Sequence, residues 1–236
     1  MSEPFIVHLL NELEQTPFPA VARFDRGEPF PGRVAVLPSA FNPPTVAHME
    51  LLELARDVEG IDTTAALLTT RNVDKGLHGA TLAQRVAMLL AAVQPGTNRA
   101  VLAANAARIA GQGEALRRQF PGVAFDFVAG YDTLVRLFDA RYYEDMGATL
   151  ADFFAHHRVL ATNRGEATIE VVREFIESTP AAREFRERIL VRELHAHPAS
   201  LSSTLARDAA ARGEQHPAVP AAVAEYIRRH GLYRES

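Results

Sequence analysis

Apolar residues along the chain keep two alternating rhythms. About six runs of strand length are apolar almost throughout, as strands covered on both faces are. They are RVAVLP (33–38), TTAALLTT (63–70), AVLAA (100–104), VAFDFVAG (123–130), RVLATN (158–163) and RILVREL (188–194). Between them the spacing switches to three and four: residues 45–58 carry Met49, Leu52, Ala55 and Val58 on one side, and 82–92, 106–120, 133–138 and 167–177 read as further helices. Strands alternating with helices in this way predict an α/β fold. Its sheet is parallel and doubly wound, with helices on both faces, right-handed crossovers and a ligand site at the carboxyl ends of the strands.

Residues 4–15 form another amphipathic pattern through Ile6, Leu9, Leu10 and Leu13, followed by a stretch from Thr16 to Gly32 punctuated by Pro and Gly. This predicts an N-terminal helical appendage and connection over 1–32. It either covers a face of the sheet or mediates self-association into a homo-oligomer. The main domain then runs over 33–236 and ends in a short helical C-terminal region, about 203–236, whose two helices are separated by Gly213 and Pro217.

Composition narrows the function classes. The chain has 236 residues with 47% hydrophobic and 23% charged, the profile of an ordinary globular protein with one sizeable domain. It contains no cysteine, hence no disulfide, thiol nucleophile or Cys-ligated metal, and the expected location is cytoplasmic. A net charge of −4 argues against a broad nucleic-acid-binding face. No stretch approaches the roughly 20 apolar residues that span a bilayer, so neither membrane insertion nor export is expected.

Two segments carry candidate chemistry. The common glycine-rich phosphate loops are missing. In their place at the first strand-to-helix crossing stands Pro38-Ser39-Ala40-Phe41-Asn42-Pro43-Pro44-Thr45-Val46-Ala47-His48. Thr45 can cap the helix and His48 falls in its first turn, beside unpaired N–H groups and the positive end of the dipole, where an anion sits. Taken alone, such a T-x-x-H is more often a capped helix with a surface histidine. After the last strand comes Leu201-Ser202-Ser203-Thr204-Leu205-Ala206-Arg207, with hydroxyls at a helix start and Arg207 four residues beyond Ser203, on the same face. One such segment is ordinarily only a cap; two in one α/β chain point to phosphate binding.

At these residues the sequence resembles the nucleotidyltransferase superfamily with (H/T)-x-G-H and I-S-S-T-x-x-R signatures, and specifically the nicotinamide or nicotinate mononucleotide adenylyltransferases. SAFNPPTVAHMELLELA is similar to their first motif and LSSTLARDAAARGEQHPAVPAAVAEYIRRHGLY to their C-terminal block. NVDKGLHGATLAQRVAML resembles the family's lysine-containing segment, and FVAGYDTLVRLFDARYYED its G-x-D block. There are departures. Pro38-Ser39-Ala40 replaces the usual glycine before the turn, Thr45 stands for the first histidine, and Ala47 for the glycine before His48. With these the chain is most similar to a less characterised branch also found in fungi. It has no tryptophan, so Phe or Tyr would stack on the pyridine.

The resemblance implies a Rossmann-like fold and direct attack of a mononucleotide 5′-phosphate on the α-phosphorus of ATP, with Mg²⁺ on the phosphates and pyrophosphate leaving. His48, Thr45, Lys75 and Arg207 would be catalytic. Ser39, Ala40, Phe41, Asn42, Gly130, Asp132, Ser202, Ser203 and Thr204 would bind the nucleotide. The partners are then small molecules, ATP and a mononucleotide. Two other readings stay open: a transferase using CTP or another acceptor, and a nucleotide-binding protein with weak ATPase activity. The remaining polar groups have plainer readings. His195 with His197, and His156 with His157, are polar pairs; Arg228, Arg229 and His230 are a solvated helix end. Asp139, Arg141, Tyr142 and Tyr143 either line an acceptor pocket or pack with polar tips.

Overall fold

The computed structural model describes residues 2–71, 79–93, 97–163, 167–194, 203–212, 214 and 217–234. The first half runs α1 (Glu3–Gln15), β1 (Val21–Arg23), β2 (Arg33–Ser39), α2 (Val46–Arg56), β3 (Thr63–Thr69), α3 (Leu82–Ala92), β4 (Arg99–Ala104) and α4 (Ile109–Gln119). The second runs β5 (Ala124–Gly130), α5 (Tyr131–Leu137), α6 (Met146–His156), β6 (Arg158–Thr162), α7 (Ile169–Ser178), α8 (Pro180–Glu184), β7 (Ile189–Arg192), α9 (Ser203–Ala211) and α10 (Ala221–His230). The strands form one sheet in the order β1-β4-β3-β2-β5-β6-β7. All neighbours are parallel except β1, which runs antiparallel to β4.

Both faces of this sheet are buried, which is why the strands read as unbroken apolar runs. In β2, Val34 and Val36 enter one core with Phe125, Phe127 and Phe153, while Ala35 and Leu37 enter the opposite core with Leu52, Leu68 and Leu89. Ile6, Leu10 and Leu13 of α1 belong to that second core. Asn105 fastens the chain that follows α1: its amide donates to the carbonyls of Leu13, Thr16 and Phe18, at 3.0, 3.1 and 3.1 Å, and its Oδ1 accepts from the Ala20 N–H at 2.7 Å.

Three elements extend what the periodicity predicts, among them α8, five residues that start with a proline. The connection over 16–32 contains β1, three residues long and too short to show alternation. Between α5 and β6 lies α6, whose buried Leu150, Phe153 and Phe154 keep the helical spacing and whose N-terminus is capped by Asp145. At the C-terminus α10 lies on α3, with Val223 and Ile227 packed against Ala80 and Met88. Among the described residues no helix is long and apolar enough to cross a membrane.

Candidate functional site

The sheet reverses direction of growth at β2, which has β3 on one side and β5 on the other. Such a switch point opens a crevice at the carboxyl ends of the strands. Here the opening has a local cause. The β2–β5 pairing stops at Val36–Phe127, two residues before Pro38, which has no N–H to donate, while pairing with β3 continues to Ser39–Leu68. Ser39 to Thr45 then bridge from the crevice to the N-terminus of α2, and Gly130 ends β5 across it.

His48 is held from two sides in the first turn of α2, 3% exposed, with Thr45 at 1%. The Thr45 backbone N–H donates to His48 Nδ1 at 3.0 Å in a capping box. An amide can only donate, so Nδ1 is the unprotonated nitrogen and the imidazole proton sits on Nε2. Thr45 Oγ1 lies 2.8 Å from the same Nδ1. Nε2 is 3.0 Å from Ser39 Oγ, to which it donates. Phe41 packs its buried ring 4.8 Å from the imidazole and has a φ of 44°, a left-handed conformation costly for a non-glycine residue. The loop is therefore strained where it meets the histidine, and the buried ring pins it there.

The distant C-terminal segment closes on this same loop. Ser203 Oγ donates to the Pro43 carbonyl at 3.0 Å, and Arg207 Nη1 donates to the Asn42 carbonyl at 2.7 Å. The other arm of Arg207 donates to Thr204 Oγ1 at 3.1 Å. Residues 160 positions apart in sequence thus share one short stretch of backbone. Two further side chains join them. Tyr233 OH donates to Asn42 Oδ1 at 2.8 Å, and Arg85, 2% exposed, reaches the carbonyls of Ala80 and Ala40 at 2.9 and 3.4 Å. Burial, together with the charge of Arg207, holds Arg85 below the usual guanidinium range, and burial pushes the Tyr233 hydroxyl well above the usual phenol range. That hydroxyl accordingly stays a donor at working pH.

Arg85 falls within the lysine-containing segment NVDKGLHGATLAQRVAML, where the resemblance gives it no role. Its sequence signal is nonetheless simple: a charged residue on the face of α3 that buries Ala83, Val86, Met88 and Leu89. Of the expected site residues, Ser39, Ala40, Phe41, Asn42, Thr45, His48, Ser203, Thr204 and Arg207 come together around the loop. Gly130 is buried at the N-cap of α5, on the neighbouring strand, and Asp132 is exposed in the first turn of that helix. Lys75, Ser202, His195 and His197 lie outside the described residues.

The other polar groups play structural parts. His157 is buried, with Nδ1 at 3.1 Å from the Phe125 carbonyl and its ring between Phe127 and Phe153, and burial pushes its pKa down. Asp139 takes a forked ion pair from Arg141, and Tyr143, pushed up to about 12 by burial, donates to the Leu137 carbonyl at 2.7 Å. Among the described residues no three His, Asp or Glu side chains group to hold a metal. The donors at the loop are amide, hydroxyl, imidazole and guanidinium, a set suited to an anion rather than to a cation.

No protein-family model and no curated protein sequence matches the chain. By structure it is similar to Plasmodium falciparum nicotinic acid mononucleotide adenylyltransferase complexed with NaAD, with a TM-score of 0.64 and 13% identity, covering 86% of this chain and 97% of that one. The same Plasmodium enzyme complexed with APC gives 0.61 and 12% over 86% and 97% of the two chains. The chain has this fold. A Vibrio parahaemolyticus structure provisionally named nicotinate-nucleotide adenylyltransferase is also similar, at 0.50 and 18%, over 87% and 97%. Its fold is accordingly α/β and Rossmann-like, with a mostly parallel sheet and helices on both faces.

Proposed function

We propose that the chain is a nucleotidyltransferase that moves AMP from ATP to the 5′-phosphate of nicotinamide or nicotinate mononucleotide. The observation that carries this reading is the meeting of two helix starts, His48 of α2 and Ser203 with Arg207 of α9, on one loop at the switch point. Both the shared fold and the sequence resemblance to adenylyltransferases support it.

In this reaction an oxygen of the mononucleotide 5′-phosphate forms a bond to the α-phosphorus of ATP. The bond from that phosphorus to the bridging oxygen of the β-phosphate breaks, and pyrophosphate leaves with the electron pair. No covalent enzyme intermediate is needed, so positioning and charge neutralisation do the catalysis. The Nε2–H of His48 turns from Ser39 to a phosphate oxygen that gains charge, aided by the dipole of α2. Thr45 acts through His48 by holding Nδ1 as the acceptor. Arg207 supplies positive charge beside the loop, with Lys75 as a second cation. Ser202, Ser203 and Thr204 bind the outer phosphates at the start of α9. Gly130 leaves room for the nucleotide and Asp132 meets it from the β5 side. Mg²⁺ would arrive on the triphosphate, neutralising its oxygens with few protein ligands.

The test is product identification. Purified chain with Mg²⁺ is offered ATP or CTP, each with nicotinamide mononucleotide, nicotinate mononucleotide or no acceptor, and the products are weighed by mass spectrometry. A dinucleotide formed only from ATP and a pyridine mononucleotide supports the proposal. A preference for CTP, or release of inorganic phosphate without an acceptor, overturns it.

A further inference from the structure

Four side chains from three distant parts of the sequence converge on the Ala40–Pro43 loop, three on its carbonyls and Tyr233 on the Asn42 side chain, and two of the four carry no role in the reaction above. Arg85 comes from the buried face of α3 and Tyr233 from the turn after α10. We propose that Arg85 and Tyr233 are positioning residues that lock the Ala40–Pro43 loop, and through it set the aim of His48 and Arg207 at the nucleotide phosphates. This rests on the transferase reading and deepens it.

The contacts divide the loop between them. Tyr233 OH holds the side chain of Asn42, Arg207 holds its main-chain carbonyl at 2.7 Å, and Arg85 holds the carbonyl of Ala40, two residues earlier. Phe41 lies between those anchor points in its strained conformation, ring against His48. Releasing either end therefore frees the residue that packs on the imidazole. The local backbone is shaped to admit the tyrosine. Gly79, at φ +89°, leaves a space in which a Cβ would stand 2.8 Å from Tyr233 Cε1 and 3.2 Å from Asn42 Oδ1. The next residue, Ala80, gives its N–H to Asn42 Oδ1 at 3.4 Å and its carbonyl to Arg85. Packing supports the same geometry, since Tyr233 lies against the cluster of Ala80, Met88, Val223 and Ile227 that joins α10 to α3. Two guanidinium groups drawn to neighbouring carbonyls also raise the local positive potential, which favours a phosphate chain at the loop.

The full chain is tested as Tyr233→Phe and Arg85→Lys, with Arg228→Ala, an exposed residue of α10, as control. Thermal melting, kcat and KM for ATP, and the ¹⁵N spectrum of the histidine rings are measured, His48 being assigned by its loss in His48→Ala. Loss of one hydrogen bond that holds the loop, and with it the aim of His48 in the transition state, predicts a fall in kcat of about tenfold, with KM for ATP held within about threefold. The His48 ring signals should shift in both variants and in neither case should melting collapse; Arg228→Ala should change none of these. Because Lys keeps the charge but not the fork, Arg85→Lys separates positioning from charge. If both variants keep kcat within about twofold and leave the His48 signals in place, the inference is overturned while the transfer reaction stands. If the wild-type chain transfers to no mononucleotide, the transferase reading fails, and unshifted or shifted His48 signals then overturn or support the positioning role by themselves.

Discussion

The backbone N–H of Thr45 points at Nδ1 of His48 from 3.0 Å, and this one contact decides which imidazole nitrogen carries the proton. The neutral ring must present Nε2–H toward Ser39 and the crevice, as a hydrogen-bond donor to an incoming oxygen. The Thr45 hydroxyl, 2.8 Å from Nδ1, strengthens the same arrangement.

Removing that hydroxyl separates its part from that of the backbone. Thr45→Ala keeps the N–H contact but loses the hydroxyl, and should lower kcat about tenfold while costing about 1 kcal/mol of stability as an N-cap. Thr45→Ser should restore most of both. Steady-state kinetics and denaturant unfolding of the two variants check this; an Ala variant with full turnover would show that the hydroxyl does not act through His48.

At the opposite end of the sheet, Asp126 is 2% exposed and accepts from Arg33 at 2.8 Å and from Arg158 at 2.5 Å. It joins the N-terminal ends of β2, β5 and β6. Asp126→Ala would leave two guanidinium groups facing each other without their acceptor, at a cost of about 3 kcal/mol. Both arginines are partly exposed, so water recovers some of that. Urea unfolding should show the loss with kcat unchanged, because the site lies at the other end of the strands.

Burial depresses the pKa of His157 below the usual imidazole value of 6.5. Its unfolded form then binds more protons than its folded form as pH falls through that value, so stability is full above it and declines below. Between pH 7 and pH 5 the wild-type chain should lose unfolding free energy more steeply than His157→Gln, which has no group titrating there. Equal slopes in the two proteins would show that His157 is not the buried neutral group described above.

How much of this could be read beforehand follows from the length scale of each feature. Strands buried on both faces, such as VAFDFVAG, and helices of three turns leave their period in the sequence, and so the doubly wound sheet was legible. The three residues of β1 hold less than two periods of alternation, and only tertiary pairing with Ala104, Ala103 and Leu102 makes them a strand. The spacing of Leu150, Phe153 and Phe154 in α6 was there to be read. At the site, Thr45 and His48 are local partners on one helical turn and show in the sequence. The Tyr233–Asn42 contact spans 191 positions and depends on how α10 settles on α3, a packing outcome that no local pattern encodes. Arg85 left one trace, its charge on an apolar face.

Turnover of His48→Ala tests most directly whether His48 donates to oxygens that gain charge during transfer. With the variant shown to be folded by thermal melting, and with ATP, Mg²⁺ and a pyridine mononucleotide at saturation, pyrophosphate release should fall by a factor of about 100 to 1,000. Turnover within a few-fold of the wild-type chain would contradict that role.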